Sequence, residues 1–260
     1  MIPRIIRYGA ISALCALITG TFPAALAMDV DHSAFERILR QYVNGDGLVD
    51  YRGIERSAGF KAYLADLEAS DVGNLSGTGR LAFWINAYNA ITIDKVIKWK
   101  PEKSVRETFL PGVWTGTRFF KTREHVIAGK RLSQDDIEHR ILRKAFPDPR
   151  IHFALICASK GCPSLPRFAY TAENVMSALD SVTREYIASA KGIRFDPAGE
   201  KLHVSKIFKW YRDDFIAHSG SIAGFLAPYL DGSAAAQLKR GIGIAYLPYD
   251  WSLNAQEPLR

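Results

Sequence analysis

Between Arg80 and Lys98 the apolar residues Leu81, Phe83, Trp84, Ile85, Ala87, Tyr88, Ala90, Ile91 and Ile93 leave almost no polar face. A helix that is apolar all round is stable only inside a core. The segment therefore predicts a central helix from about Arg80 to Lys98, stopped by Pro101, with the rest of the chain packed around it. Asn86 and Asn89 are three residues apart and share one side of that helix. A buried amide without a partner costs ~1–3 kcal/mol, so backbone, other side chains, water or a ligand must meet them. Pinning of a neighbouring loop and a polar wall of a binding site both satisfy that demand, and both residues stand as candidate ligand-binding groups.

Shorter patterns give the surrounding elements. Phe35, Ile38, Leu39 and Val43 at helical spacing predict a helix over 31–44, ended by Asn44-Gly45-Asp46-Gly47. Positions 48–51 read as extended, and 51–67 as a further helix weakened by Gly53 and Gly59. Positions 111–117 read as irregular, and 119–121 with 125–127 as a strand pair around Arg123-Glu124. Ser133 opens a helix to about Ala145, with Asp135 and Asp136 in the first turn, where they complement the helix dipole. Glu138 is expected to turn inward beside Ile137, Ile141 and Leu142, whereas Asp135 and Asp136 read as solvated. Pro147 and Pro149 stop this helix, and the apolar run 151–157 predicts a strand. Thr171 caps a helix to about Ala190, and 193–195 with 201–204 flank Pro197-Ala198-Gly199 as a hairpin. Ser205 caps a helix to about His218, with Trp210, Tyr211 and Phe215 on its inner face. Two short helices over 222–229 and 233–240 and a strand over 242–247 complete the chain. The expectation is a mixed α/β (α+β) fold: a single helix-rich domain around a small sheet, spanning 28–260.

Residues 1–27 read as a secretory signal peptide. Arg4 and Arg7 precede a mostly apolar stretch from Tyr8 to Thr21, and Ala25-Leu26-Ala27 is an A-x-A cleavage site before Met28. The apolar stretch is shorter than the ~18–20 residues of a membrane span, and Leu14 is the wrong neighbour for lipid attachment at Cys15. Cleavage, a periplasmic or secreted location and no stable membrane anchor are expected. The formal charge of +7 falls to +5 without Arg4 and Arg7. Basic residues are mixed with acids, as at Arg212-Asp213-Asp214, which reads as a solvated surface and not a nucleic-acid-binding face.

Cleavage leaves Cys157 and Cys162 as the remaining cysteines, both within Arg150–Leu165. A loop cysteine after a strand can be a nucleophile if a base or a positive field lowers its pKa. His152 is near in sequence. In one extended strand, however, its Cα would lie ~16 Å from that of Cys157 and on the opposite face, which is too far for a dyad. His139 on the preceding helix is the preferred base, with Glu138 as its orienter, and His152 is kept as a ligand-binding candidate. The alternative is a Cys157–Cys162 disulfide, since four intervening residues including Gly161 permit closure and an exported chain is where such a bond is expected. Cys-x4-Cys is not a standard zinc spacing. There is no G-x-S-x-G, P-loop, G-x-G-x-x-G or H-E-x-x-H pattern, so neither metal nor cofactor is expected.

Three separated stretches, Phe83-Trp84-Ile85-Asn86-Ala87-Tyr88-Asn89-Ala90, Arg150 to Leu165 and Ser205 to Phe215, occur in this order. Together with a closing motif over Tyr246 to Asn254 around Tyr249, Asp250 and Trp251, they make the chain resemble the family called domain of unknown function 547. The resemblance covers most of the chain after residue 27 and implies no particular reaction. It runs through His152-Phe153-Ala154-Leu155 to Cys157, which favours Cys157 over Cys162 as the reactive thiol. It assigns the closing motif to docking of the C-terminus.

Two functions remain open at this point. One is a thiol-dependent hydrolase or acyl transferase, with Cys157, His139 and Glu138 catalytic and Asn86 or Asn89 as donors, acting on a small molecule or envelope peptide. The other is a non-catalytic binding or interaction domain stapled by a disulfide.

Overall fold

The computed structural model describes residues 29–107, 118–196 and 201–259. The signal peptide at 1–27, its cleavage site before Met28, the irregular 111–117 segment and the hairpin turn at 197–199 lie outside the described residues.

The N-terminal part forms α1 (Ser33–Tyr42), α2 (Tyr51–Glu55) and α3 (Ala58–Ala69). The single helix expected over 51–67 is two because Ser57 starts a new one: its hydroxyl accepts the Phe60 N–H at 3.2 Å, satisfying a donor that the first helical turn leaves free. The central helix α4 (Gly77–Trp99) runs longer than its apolar stretch, capped by Ser76, whose hydroxyl accepts the Gly79 N–H. Every side chain from Leu81 to Val96 is buried. This helix is the axis of one continuous apolar core that takes in residues from Phe35 to Leu253.

After α4 come α5 (Arg118–Lys121), β1 (His125–Ile127) and β2 (Lys130–Leu132). The expected strand at 119–121 is the helix α5, and β1 pairs with β2 across a two-residue turn. Ala128 and Gly129 hold that turn at φ +49° and +70°, the left-handed pair that a tight hairpin needs. Residues Asp136–Leu142 are wound as a π-helix, in which the Arg143 N–H reaches back to the Glu138 carbonyl. A last turn, α6 (Arg143–Ala145), follows.

The strand expected over 151–157 is absent. Pro149–Phe153 is a 3-10 helix, with Asp148 capping the Arg150 N–H and Pro149 in the first turn. An apolar run does not distinguish a buried strand from a buried helical turn, and a proline at the start favours the turn. The chain continues through α7 (Val175–Ala188), β3 (Ile193–Phe195), β4 (Lys201–Val204), α8 (Ile207–Trp210), α9 (Arg212–Ser219), α10 (Ile222–Leu226), α11 (Gly232–Lys239) and β5 (Gly243–Tyr246). The helix expected over 205–218 breaks at Tyr211 into α8 and α9. Strand β4 pairs antiparallel with β3 and parallel with β5. The fold is thus a mixed α and β single domain, with one two-stranded and one three-stranded sheet among the described residues. Among the described residues no helix is long and apolar enough to cross a membrane.

Candidate functional site

Asn89 explains how the cysteine loop is placed. Its amide donates to the Ala154 carbonyl at 2.9 Å and its oxygen accepts the Ile156 N–H at 2.9 Å. Asn86 does the same for another loop, donating to the Tyr170 carbonyl at 2.7 Å and accepting the Tyr170 N–H at 3.1 Å. Both side chains imitate a strand partner for backbone that has none. The two asparagines therefore hold loops, and these contacts leave neither facing the cleft described next.

Beyond Ile156 the loop is clamped by the C-terminal segment. The Lys160 N–H donates to the Ser252 carbonyl and the Gly161 N–H to the Asp250 carbonyl, each at 2.8 Å, and the Asn254 N–H donates to the Ala158 carbonyl at 3.1 Å. A Cβ on Gly161 would stand 2.8 Å from the Asp250 oxygen, so the close approach requires glycine. Ala158 is held at φ +59°, a left-handed conformation that costs a non-glycine residue on the order of 1 kcal/mol.

This loop, the π-helix and α8 surround a cleft of about 480 Å³, lined among others by Glu138, His139, His152, Cys157, Cys162, Trp210, Tyr211, Tyr249 and Trp251. Cys157 is partly exposed there and Cys162 is buried. The alternative of a Cys157–Cys162 disulfide is not what this structure has: both are free thiols. The Cys157 N–H donates to Cys162 Sγ at 3.0 Å, and Cys162 Sγ–H points at the Leu155 carbonyl, 3.7 Å away. Cys157 Sγ lies 3.0 Å from Ser159 Oγ and 3.3 Å from Tyr249 Oη. The Cys162 thiol, the two hydroxyls and the Ser159 backbone hold the Cys157 thiol below its ordinary value, against the opposing effect of burial. Burial and the adjoining Cys157 push Cys162 well up. The two thiols are thus shifted in opposite directions, Cys157 downward and the more buried Cys162 upward.

The expected triad members share the cleft without forming a hydrogen-bonded chain. His139 Nδ1 accepts from Arg143 Nη1 at 3.0 Å, which puts the imidazole proton on Nε2, 3.8 Å from Asp135. Neither nitrogen is then left as a ready base. Glu138 is buried, as expected, but it faces His152 and Tyr211. Burial works to raise its carboxyl, and the nearby His152, His139 and the Tyr211 hydroxyl outweigh that and hold it below the usual range. Asp136, expected in solvent, is buried and clamped by Arg123 through contacts of 2.6 and 2.7 Å.

His152 lines the same cleft and is held from one side. Its Nε2 meets Asp214 Oδ2 at 2.8 Å, and Arg143 grips the same carboxylate with two contacts of 2.7 Å. A carboxylate only accepts, so the proton sits on Nε2. Nδ1 is then buried without a hydrogen-bond partner, 3.7 Å from Glu138 Oε1. That gap is too long for a hydrogen bond. Because the strand does not form, the distance argument that separated His152 from Cys157 no longer applies, and a helical turn brings both to one cleft. Asp214, Tyr249 and Ser159 were not singled out as site residues by sequence. All three do fall inside quoted motifs, which was the available signal. Among the described residues no three His, Cys, Asp or Glu side chains are grouped to hold a metal.

Fold and cleft together define a helix-rich α+β domain built around a cysteine-bearing pocket. Residues 72–187, 116 of the chain's 260, match the model of the family described as "Protein of unknown function, DUF547", so this segment is similar to that family. It contains both asparagines, Glu138, His139, His152 and both cysteines, whereas Asp214 and Tyr249 reach the site from outside the matched segment. No curated protein and no solved structure matches the chain.

Proposed function

We propose that the cleft is a thiol-dependent hydrolase or acyl-transferase site, acting in the periplasm or outside the cell on a small molecule or an envelope peptide. The observation that carries this reading is the Cys157 thiol, open to the cleft and held by the Ser159 and Tyr249 hydroxyls within 3.3 Å. The thiolate attacks a carbonyl seated in the cleft. His152, on the cleft wall and oriented by Asp214, is the proton carrier for the leaving group and for water, and Arg143 keeps Asp214 in place. This assignment moves the base from His139 to His152, with the Glu138 carboxylate 3.7 Å from the imidazole on its other side.

An activated thioester supplied in excess tests it. The wild type should release one thiol equivalent in a burst, Cys157→Ala should abolish the burst, and His152→Gln should slow turnover. A burst of unchanged size in Cys157→Ala would remove the reading. Export is tested separately, by N-terminal sequencing of protein recovered outside the cytoplasm: the sequence should begin at Met28, and one beginning at Met1 would refute cleavage.

A non-catalytic binding domain is the second reading. It is favoured by the fact that, among the described residues, no histidine hydrogen-bonds Cys157 directly.

A further inference from the structure

The geometry points to a second activity for this cleft: Cys157 and Cys162 form a dithiol couple that reduces a disulfide bond in a bound peptide. The inference rests on the nucleophilic Cys157 of the proposed function and adds a resolving role for Cys162, which acyl transfer does not use.

Three observations carry it. First, both thiols are free, and the Cys157 backbone N–H donates to Cys162 Sγ at 3.0 Å, which places the buried sulfur against the backbone of the exposed one. Second, their accessibilities differ in the required sense. Cys157 is partly exposed on the cleft wall, whereas Cys162 is 3% exposed and lies behind it, so an incoming disulfide meets Cys157 first. Third, the connecting loop is held on both flanks. Asn89 fixes Ile156, and the backbone of Asp250 and Ser252 fixes Lys160 and Gly161. These contacts fix the loop that carries both sulfurs, which lowers the loop-closure cost of the resolving step. Exchange also requires less than acyl transfer. It forms no oxyanion, and the thiolate needs no histidine in contact, since hydrogen-bond donors already favour it. The exposed Trp210 ring, 4.8 Å from Tyr249 and 5.4 Å from Trp251, gives the side chains flanking a peptide disulfide an apolar surface beside Cys157.

The steps balance as follows. The Cys157 thiolate attacks one sulfur of R–S–S–R′; that bond breaks, R′–S⁻ leaves and takes up a proton, and a Cys157–S–S–R bond forms. Cys162 then gives its proton to the departing R–S⁻ as its sulfur attacks Cys157 Sγ. The peptide disulfide gains two electrons and two protons, and the enzyme is left with a Cys157–Cys162 disulfide. An external dithiol reverses the cycle.

The test treats the reduced protein with oxidised glutathione and reads the products by intact mass. The wild type should lose two hydrogens and retain no glutathione. Cys162→Ser should accumulate a single glutathione on Cys157, and Cys157→Ser should remain unmodified. The oxidised wild type should return to the dithiol with dithiothreitol under native conditions. A wild type that stops at the glutathione adduct would overturn the inference. So would an internal disulfide that is reduced only after unfolding, because that bond would be a structural staple. The wild-type measurement needs no variant to fold. Iodoacetamide separates the two readings. If Cys157 is alkylated but no internal disulfide forms, only the exchange activity fails, and the wild type should still give the thioester burst. If Cys157 resists alkylation, both fail.

Discussion

Tyr211 lies flat against His152, with ring centroids 3.6 Å apart and planes 17° from parallel. The stack exists because the helix breaks at this residue: φ −110° and ψ 26° end α8 and begin α9, which turns the ring from the helix surface onto the imidazole. The Tyr211 hydroxyl meanwhile supports Glu138. One residue thus fixes the plane of the histidine and the charge beside it.

Tyr211→Phe separates these two roles. The stack should remain, while Glu138 loses a donor to a buried carboxylate, which costs ~1–3 kcal/mol. Denaturant unfolding should show a loss in that range, with the thioester burst still present. Tyr211→Ala frees the imidazole as well and should reduce turnover more than Tyr211→Phe does. Equal turnover in the two variants would show that the stack does not position His152.

Asn89 gives a sharper test of loop placement. Asn89→Leu leaves the Ala154 carbonyl and the Ile156 N–H unpaired in the core, at ~1–3 kcal/mol for each group. Stability should fall by about 2–5 kcal/mol, and Cys157 alkylation should slow because the loop loses its anchor. Asn86→Leu unpairs the Tyr170 backbone and should cost a similar amount of stability without affecting the thiol. Identical effects on alkylation would contradict the separate roles read here.

These two asparagines also show what was legible in the sequence. An all-apolar helix with two amides on one side left backbone as one of few possible partners, so burial and pairing could be inferred. Which loops they pin could not, because that depends on contacts 65 to 84 residues away. The run 151–157 was misread because apolarity alone does not set the period. The strand assumption then placed His152 out of reach of Cys157 and promoted His139. Asp214 was hidden for a similar reason: in a continuous helix its neighbours looked like a solvated face, and only the break at Tyr211 turns α9 so that its carboxylate meets His152. The cysteine loop was expected beside both Asn86 and Glu138: Glu138 and the loop line one cleft, whereas Asn86 faces the backbone of Tyr170.

The Cys157 thiol provides a pH test. Its pKa is depressed in the folded state, first through the Cys162 thiol and then through Ser159 and Tyr249. The thiolate should therefore be present below the ~8.5 midpoint of a free cysteine. Alkylation rate plotted against pH should rise with a midpoint under that value. Tyr249→Phe, which removes one donor, should move the midpoint up. A wild-type midpoint at or above ~8.5 would show that the hydrogen bonds do not activate the sulfur.

Lys95 gives a prediction independent of the cleft. Its side chain is fully buried. Its ammonium donates to the Thr122 carbonyl at 2.9 Å and to Gln134 Oε1 at 3.4 Å, and it lies 5.2 and 5.4 Å from the Trp99 and Phe119 ring centroids. Among the described residues no carboxylate forms an ion pair with it, and Glu124 acts only at a distance. Burial lowers its pKa from 10.5 to about 8, with Glu124 opposing. In the unfolded chain the amine titrates near ~10.4. Above that pH both states are neutral and no penalty exists. As pH falls from about 10.4 to 8, the unfolded chain binds a proton that the folded chain resists, so stability falls; below 8 the penalty is complete, at most on the order of 3 kcal/mol. Lys95→Met removes the titration. Unfolding free energies of the two proteins should therefore diverge between pH 7 and 10, with the wild type gaining up to ~3 kcal/mol on the variant as pH rises. A difference that stays constant across that range would mean that Lys95 keeps its ordinary pKa, and that the aromatic rings and the two oxygens hold the charge as well as water does.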